Sequence, residues 1–268
     1  MKKLTSILLI AEDVDSGTRI LEKTIQLARS FGARVELLLG NPRDAKDFAA
    51  LCTARGYDEV VLCSVFRCAE PLNYVILRRA FERSPDLVVK APAGGHEDQQ
   101  LAAACPVPLI LMRELPWRSP VRIAAAVDIS SDDSALARSL VHTSGFLSFG
   151  VEGELDVLYS EREQQDEVLR MARAVKLARL MREFRIDGEH LRRINGTPEE
   201  TLPLIAASGD YDILILGALS HHEGLSASLA TLTRKLLAAF RGDVVLVKEA
   251  SRASAGRSYV PLKSRAML

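Results

Sequence analysis

Two segments in the C-terminal half of the sequence carry residues that suit the binding of an anionic ligand. Asp128 follows one apolar run, and the segment 217–231 (GALSHHEGLSASLAT) begins at the end of another, DILILG. The longer segment is rich in small and hydroxyl residues and leads into a helix, so its backbone N–H groups can face a phosphate. Ligands of open parallel sheets bind beyond the carboxyl ends of the strands, where the strand order reverses. The sequence therefore predicts an anion site at the ends of these two strands.

Other polar residues in this half have simpler explanations. His221 and His222 are adjacent, and no acid or cysteine at ligand spacing completes a metal site, so we interpret them as solvated loop residues. Asp128, Asp132 and Asp133 could together bind Mg²⁺, although helix capping explains the same acids without a cation.

Sequence motifs of common enzyme classes are missing. There is no G-x-S-x-G nucleophile elbow, no G-x-G-x-x-G and no GxxxxGK[ST]. All 4 cysteines lie in the first half, and Cys63 and Cys68 do not form a CxxC pair, so we expect free thiols. We predict a non-enzymatic protein without a metal site and leave only a slow ATPase activity open.

An internal repeat divides the chain into two similar halves. Each copy has a buried apolar strand, an acidic residue at its end, an amphipathic helix and a second strand. The matching segments are 6–40 and 122–160, 86–91 and 212–217, and 109–114 and 244–249. The offset is 126 from Asp86 to Asp212 and 135 from Leu109 to Val244, so the second copy has about nine extra residues between its last two strands. Only the second copy therefore has room for a phosphate-binding loop.

Composition limits the class of protein. The chain has 268 residues, 48% of them hydrophobic, and its 35 basic and 35 acidic residues cancel. The overall charge does not indicate a basic surface that would bind nucleic acid or an anionic membrane. No apolar run is long enough to span a bilayer. The N-terminal apolar stretch runs into Glu12 and Asp13, which indicates a first strand instead of a signal peptide, and we expect a cytoplasmic protein.

Apolar runs alternate with amphipathic periods through both halves, as in α/β proteins with a parallel sheet. The first helix has one apolar stripe, made of Ile20, Thr24, Leu27, Ala28 and Phe31.

The segment between the halves, RELPWRSP at 113–120, is short and holds them close together. Pro116 and Pro120 oppose regular structure there, and we predict that Trp117 pins one half to the other. A long helix is predicted from about Glu161 to Phe184. Its apolar residues at spacings of three or four are interpreted as core packing: Val168, Met171, Ala172, Val175, Ala178, Met181 and Phe184.

Three features of the sequence occur together: an acid after the first strand, CPVPLILMRE at 105–114 and GTPEETLPLIAASGDYDILILG at 196–217. With these features the chain resembles the universal stress proteins, and specifically the members with two domains in one chain. Nucleotide-binding members carry a loop G-x2-G-x9-G-[S/T] and an Asp after the first strand that faces the adenine base. The positions of this chain that the resemblance assigns to the site are Asp128, Gly217, Ser220, Ala230 and Thr231.

Two of the three loop glycines are replaced, by Ser220 and Ala230. Glycine permits a positive φ and a close approach of backbone to phosphate. A strain of roughly 1.4–3.5 kcal/mol would weaken binding about tenfold to several hundredfold. In the first half Glu12 and Ala91 stand in place of Asp128 and Gly217, and the Gly94-Gly95 turn is a weak signal, so we interpret that half as degenerate.

The resemblance implies two tandem Rossmann-like α/β domains of the adenine nucleotide alpha hydrolase-like kind. Each has a five-stranded, mostly parallel sheet with helices on both faces, and the last strands of the two domains pair as in a dimer. We predict domains at 1–118 and 119–250 and a flexible tail at 251–268.

The function that follows is stress-linked ligand binding or sensing, with no required cofactor and at most weak ATP or ADP binding in the second domain. One alternative is an interaction module that binds no nucleotide. Another is a protein that holds an apolar or lipid-like molecule between the domains. No nucleic-acid partner and no membrane span are expected, and further homodimerisation is left open.

Overall fold

Strands and helices alternate along the chain in the computed structural model, which describes residues 4–11, 14–39, 42–65, 71–93, 96–129, 134–161, 166–217 and 227–248. The first half contains β1 (Ser6–Ala11), α1 (Val14–Phe31), β2 (Arg34–Leu39), α2 (Pro42–Ala54), β3 (Val61–Val65), α3 (Leu72–Arg83), β4 (Leu87–Lys90), α4 (His96–Ala104) and β5 (Leu109–Leu111). The second half contains β6 (Arg122–Ala126), α5 (Ser134–Gly150), β7 (Glu154–Glu161), α6 (Glu167–Glu183), a 3-10 turn (Gly188–His190), β8 (Leu191–Asn195), α7 (Pro198–Ser208), β9 (Ile213–Gly217), α8 (Ala227–Ala239) and β10 (Asp243–Val247).

All ten strands join one sheet in the order β3-β2-β1-β4-β5-β10-β9-β6-β7-β8. Within each half every pairing is parallel, and the order is third, second, first, fourth, fifth. This is the Rossmann order without its sixth strand, and it reverses between the first and fourth strands. The predicted α/β class with mostly parallel five-stranded halves is confirmed.

The halves meet at an antiparallel seam between their last strands. Val245 of β10 lies opposite Ile110 of β5, and β5 also pairs in parallel with β4. Both strands of the seam are fully buried. The predicted pairing of the last strands is therefore present, and each half covers the apolar edge of the other.

Apolar packing also crosses the boundary between the halves. Two of the three core clusters contain side chains from both halves, one on each face of the sheet. On one face α1 meets α5, where the ring of Phe31 stacks on that of Phe146 with centroids 4.3 Å apart. Gly150 permits this approach, because a Cβ there would lie 2.3 Å from the Phe31 ring. The predicted α1 stripe is buried throughout.

The apolar stripe predicted for α6 is wrong over most of its length. The helix begins at Glu167, and Val168, Met171 and Val175 are exposed, whereas Met181 and Phe184 are buried. Three residues advance a helix by about 300°, so each such step falls about 60° short of a full turn. From Val175 the spacing is three at each step to Phe184, and the stripe winds through half a turn. Val175 therefore faces away from the core that Phe184 enters.

Among the described residues, no helix combines the length and apolarity needed to cross a membrane.

Candidate functional site

Asp128 and Gly217 lie at the same edge of the sheet, where the strand order of the second half reverses. Strands β6 and β9 are parallel neighbours with Ala125 beside Ile215. Extending this register places Val127 beside Gly217 and Asp128 one residue further on. Asp128 is exposed between the buried Val127 and Ile129, so the chain holds its carboxylate at the rim of the sheet. The fold brings together the two predicted residues that lie at strand ends.

Gly217 is packed against the start of α5. A Cβ at this position would lie 3.0 Å from Cδ2 of Leu136, closer than ordinary side-chain contact. Glycine at position 217 therefore leaves space at this strand end, as a backbone that binds phosphate closely would require.

Ala230 and Thr231 lie in the first turns of α8, which begins at Ala227. Their helical backbone has a negative φ, so replacement of the family's glycine by Ala230 carries no left-handed strain. The loss of binding free energy expected at Ala230 then comes only from the bulk of its methyl group. The N–H groups of the first turn of α8 have no intrahelical acceptors, as an anion site at a helix N-terminus requires.

Several predicted features lie outside the described residues or side chains. They are Glu12, Cys63, Cys68, Gly94, Gly95, Asp132, Asp133, Ser220, His221, His222 and the tail 251–268. The other two cysteines, Cys52 and Cys105, are buried and form no disulfide bond, and burial raises the pKa of the Cys105 thiol. Within the described part of the chain, no group of three His, Cys, Asp or Glu side chains is arranged to hold a metal ion.

The corresponding position in the first half is occupied by a buried ion pair. Lys90 at the end of β4 donates from Nζ to Oδ1 of Asp98 over 2.7 Å, and both side chains are only 2% exposed. Asp98 lies in the first turn of α4. A carboxylate of the chain itself therefore occupies the helix N-terminus at this strand reversal, where the favoured ligand is an anion. Sequence analysis missed this pair, although a lysine inside the apolar run LVVK was a visible signal.

Three aspartates at the starts of strands tie the sheet together. Asp86 accepts from the backbone N–H and the hydroxyl of Thr5, and Asp212 accepts from the N–H of Arg122, at equivalent places in the two halves. Asp243 has no such counterpart. It accepts from the Trp117 indole and the Arg113 N–H, each over 2.7 Å.

The cation that faces Asp243 is Lys23 of α1, with Nζ 2.5 Å from Oδ2. Lys23 also donates to the carbonyl oxygens of Arg113 and Leu115, and it lies 4.8 Å from the centre of the Trp117 ring. Burial raises the pKa of Asp243 and lowers that of Lys23, and their mutual attraction opposes both shifts. This cluster fastens α1, the connecting segment and β10, so the predicted pinning role of Trp117 is confirmed.

A cleft of about 750 Å³ lies between the halves beside this cluster. Its walls come from α1, the connecting segment 116–121 and the turn 150–152, and they include Arg19, Glu22, Lys23, Arg118 and Glu152. Charged side chains of both signs line it. Such walls give little support to an apolar or lipid-like ligand between the halves.

One curated protein provides a sequence match. The chain is 27% identical over 151 residues to a universal stress protein E homolog of Haemophilus influenzae, a match that covers 49% of this chain and 48% of that protein. The alignment thus spans about half of each. No family model matches the chain.

Solved structures share the fold over almost the whole chain. A protein of Pseudomonas aeruginosa UCBPP-PA14, provisionally assigned to the universal stress proteins, superposes with a TM-score of 0.77 at 18% identity, covering 92% of this chain and 94% of that one. A universal stress protein of Archaeoglobus fulgidus superposes with a TM-score of 0.64 at 13% identity, covering 92% and 97%. These structures show the fold of this chain. The chain is thus similar to universal stress proteins in fold over almost its whole length and in sequence over about half of it.

Proposed function

We propose that the chain is a tandem universal stress protein of the cytoplasm that binds a small ligand at the β6–β9 strand reversal of its second half. The ligand class is an adenine nucleotide, held weakly, and the response is binding or sensing without turnover. The observation that carries this proposal is the register that brings Asp128 and Gly217 to one edge at the reversal point.

The parts of the site have separate roles. Asp128 would face the base, because it is an exposed acceptor just beyond the end of β6. Gly217 and the N-terminus of α8 would face the phosphates, because backbone N–H groups and the helix dipole favour negative charge. Two family glycines are replaced, so we expect a Kd well above that of relatives with the complete loop.

Calorimetric titration with Mg-ATP and Mg-ADP tests the proposal, with Mg-GTP as the base control. We expect ATP and ADP to bind at high micromolar to millimolar concentration and GTP to bind more weakly. Asp128→Ala should weaken ATP binding roughly tenfold, by the loss of about one hydrogen bond to the base. Glu12→Ala, at the corresponding place of the repeat, should leave the Kd unchanged.

The competing functions give different results. If no heat is released at several millimolar nucleotide, the proposal fails and the interaction module without nucleotide is favoured. Mass spectrometry of the purified protein under non-denaturing conditions would reveal a retained apolar molecule. A hydrolysis rate abolished by Asp128→Ala would show that the site also supports turnover.

A further inference from the structure

The first turns of α6 expose an apolar surface that neither the core nor the candidate ligand site explains. Val168, Met171 and Val175 are 72%, 64% and 68% exposed, and their positions fall on the outward face of the helix. Leu169 lies about 100° around the helix from Val168 and is 52% exposed as well. Isolated exposed apolar residues are normal in proteins, whereas a cluster of this kind marks an interaction surface.

Basic residues follow the same helix at every third position. They are Arg170, Arg173, Lys176, Arg179 and Arg182. The helix has two acids, Glu167 and Glu183, so its net charge is 5 − 2 = +3 in a chain whose total charge is zero. Arg192 and Arg193 on the neighbouring edge strand β8 are also exposed. The neutral overall composition therefore hides a basic region.

The apolar and basic groups share the outward face in two successive zones. Helical geometry places Val168, Met171 and Val175 there in the N-terminal part of α6, and Arg179 and Arg182 in the C-terminal part. The inner residues Leu177, Leu180 and Met181 hold the second zone against the body of the protein. The arrangement is an apolar zone beside a basic zone, on a helix whose C-terminal half is packed against the protein. We call this surface the α6 face.

We propose that the α6 face docks on the surface of an anionic lipid bilayer. The apolar side chains would enter the boundary between headgroups and acyl chains, and the arginines would contact lipid phosphates. Binding of such a surface to a bilayer draws its strength from buried apolar area and from attraction to anionic lipid. Long arginine side chains can keep their charge in the headgroup layer while their stems cover apolar surface.

A second copy of the chain fits this surface poorly. In an antiparallel pairing of two α6 helices about Val175, Met171 of one copy would lie opposite Arg179 of the other. Val168 would likewise lie opposite Arg182. Such an interface would remove guanidinium groups from water against apolar side chains, which is unfavourable. A bilayer offers hydrocarbon and phosphate side by side and satisfies both zones.

Flotation of the full-length protein with lipid vesicles tests this proposal. One set contains phosphatidylcholine alone, and the other contains phosphatidylcholine with 30% phosphatidylglycerol. We expect binding to the anionic vesicles only and a marked decrease in binding between 50 and 300 mM NaCl, because salt screens exposed charges.

Two variants separate the contributions of the zones. Arg179→Gln with Arg182→Gln should lower the partition coefficient roughly tenfold or more, because each basic residue near an anionic surface contributes about fivefold. Val168→Ser with Met171→Ser should reduce binding to a similar extent through loss of buried apolar area. All four positions are on the outward face, so circular dichroism spectra should match those of the unmodified protein.

Matched controls use exposed residues on other helices. Leu204→Ser on α7 and the pair Lys46→Gln and Lys235→Gln change similar residue types and should leave vesicle binding unchanged. The proposal is overturned by absence of flotation with anionic vesicles, by equal binding to neutral vesicles, or by equal losses in the controls. A concentration-dependent dimer that Met171→Ser abolishes, without vesicle binding, would assign the α6 face to a second copy instead.

Discussion

The two strand reversals of this protein are built on one scaffold and differ in what occupies them. In the first half Lys90 and Asp98 form an ion pair that is almost completely buried. In the second half the place of Lys90 in the repeat is taken by Leu216, which is apolar and buried, and the strand ends at Gly217 next to Asp128. Charged side chains of the chain itself fill the first reversal, whereas Gly217 ends the strand at the second and Asp128 is exposed there.

This difference shows how one copy of a duplicated fold can fill its strand reversal with charged groups of its own chain. A helix N-terminus at a strand reversal favours an anion whether it comes from outside or from the chain. Asp98 supplies that anion from within, and Lys90 balances its charge. The second half has no described equivalent of this pair, so its reversal is the better candidate for an external ligand.

The largest effect is expected from breaking the internal pair. Asp98→Ala leaves the Lys90 ammonium buried without its carboxylate and should lower the free energy of unfolding by about 3–5 kcal/mol. Lys90→Leu with Asp98→Leu gives the first half the apolar character of the second, and should stay within about 1 kcal/mol of the unmodified protein. Urea unfolding measures both. Equal losses in the single and double variants would contradict an ion pair at this position.

A slightly smaller effect is expected at the cluster that has no counterpart in the repeat. Asp243→Asn removes the charge that faces Lys23 and should cost about 3 kcal/mol, since one oxygen remains to accept a hydrogen bond. Asp210→Asn, at an exposed site before β9, serves as the control and should change the unfolding free energy by less than about 0.5 kcal/mol. Near-ultraviolet circular dichroism of Trp117 should change only in the Asp243 variant.

Exchanging the strand-end residues of the two halves tests whether the strand reversal of the second half has space for a ligand. Gly217→Ala places a methyl group 3.0 Å from the flexible end of Leu136, and we expect a loss of about 1 kcal/mol or less. Affinity for Mg-ATP should fall several-fold, because the methyl group also narrows the proposed cradle. Ala91→Gly in the first half should leave the calorimetric Kd unchanged. An unchanged Kd in Gly217→Ala would exclude this strand end from the site.

The smallest effect concerns how the third crossover helix begins in each half. Helix α7 starts at Thr197, whose N–H and hydroxyl donate to Glu200, whereas α3 starts after Pro71 without a side-chain cap. These bonds lower the pKa of Glu200 below its ordinary 4.5. The stabilisation is therefore present above that value and is lost as the pH falls through the lowered pKa.

Thermal unfolding of Glu200→Gln across a pH series checks this assignment. The variant should have a slightly lower Tm than the unmodified protein at pH 6, and the two values should converge below pH 4. A Tm difference that is the same at pH 3 and pH 6 would show that the charge of Glu200 makes no contribution.

Much of the scaffold was predictable because its signals are local or repeated. The buried strands appear as apolar runs, the α1 stripe follows one helical face, and the duplicated order of elements implies the seam between β5 and β10. The two ion pairs were not predictable from spacing alone. Asp243 and Lys23 are far apart in sequence, and only the sheet order brings α1 near the start of β10.

The error at α6 has a different origin. A spacing of three residues resembles a helical face over one or two turns and departs from it over four, so Val175 and Phe184 point in opposite directions. The candidate ligand site was predicted in part. Strand ends located Asp128 and Gly217, whereas the backbone at Ala230 depends on where α8 begins, and that position was not predicted.

The antiparallel seam has a consequence for any attempt to separate the protein into modules. Residues 109–111 form a three-residue strand between two partners, and cutting the chain within the connecting segment would bare that strand and β10 to solvent. Each fragment would then expose an apolar strand edge that is buried in the intact molecule. A fragment expressed alone should recover a partner by pairing with a second copy of itself.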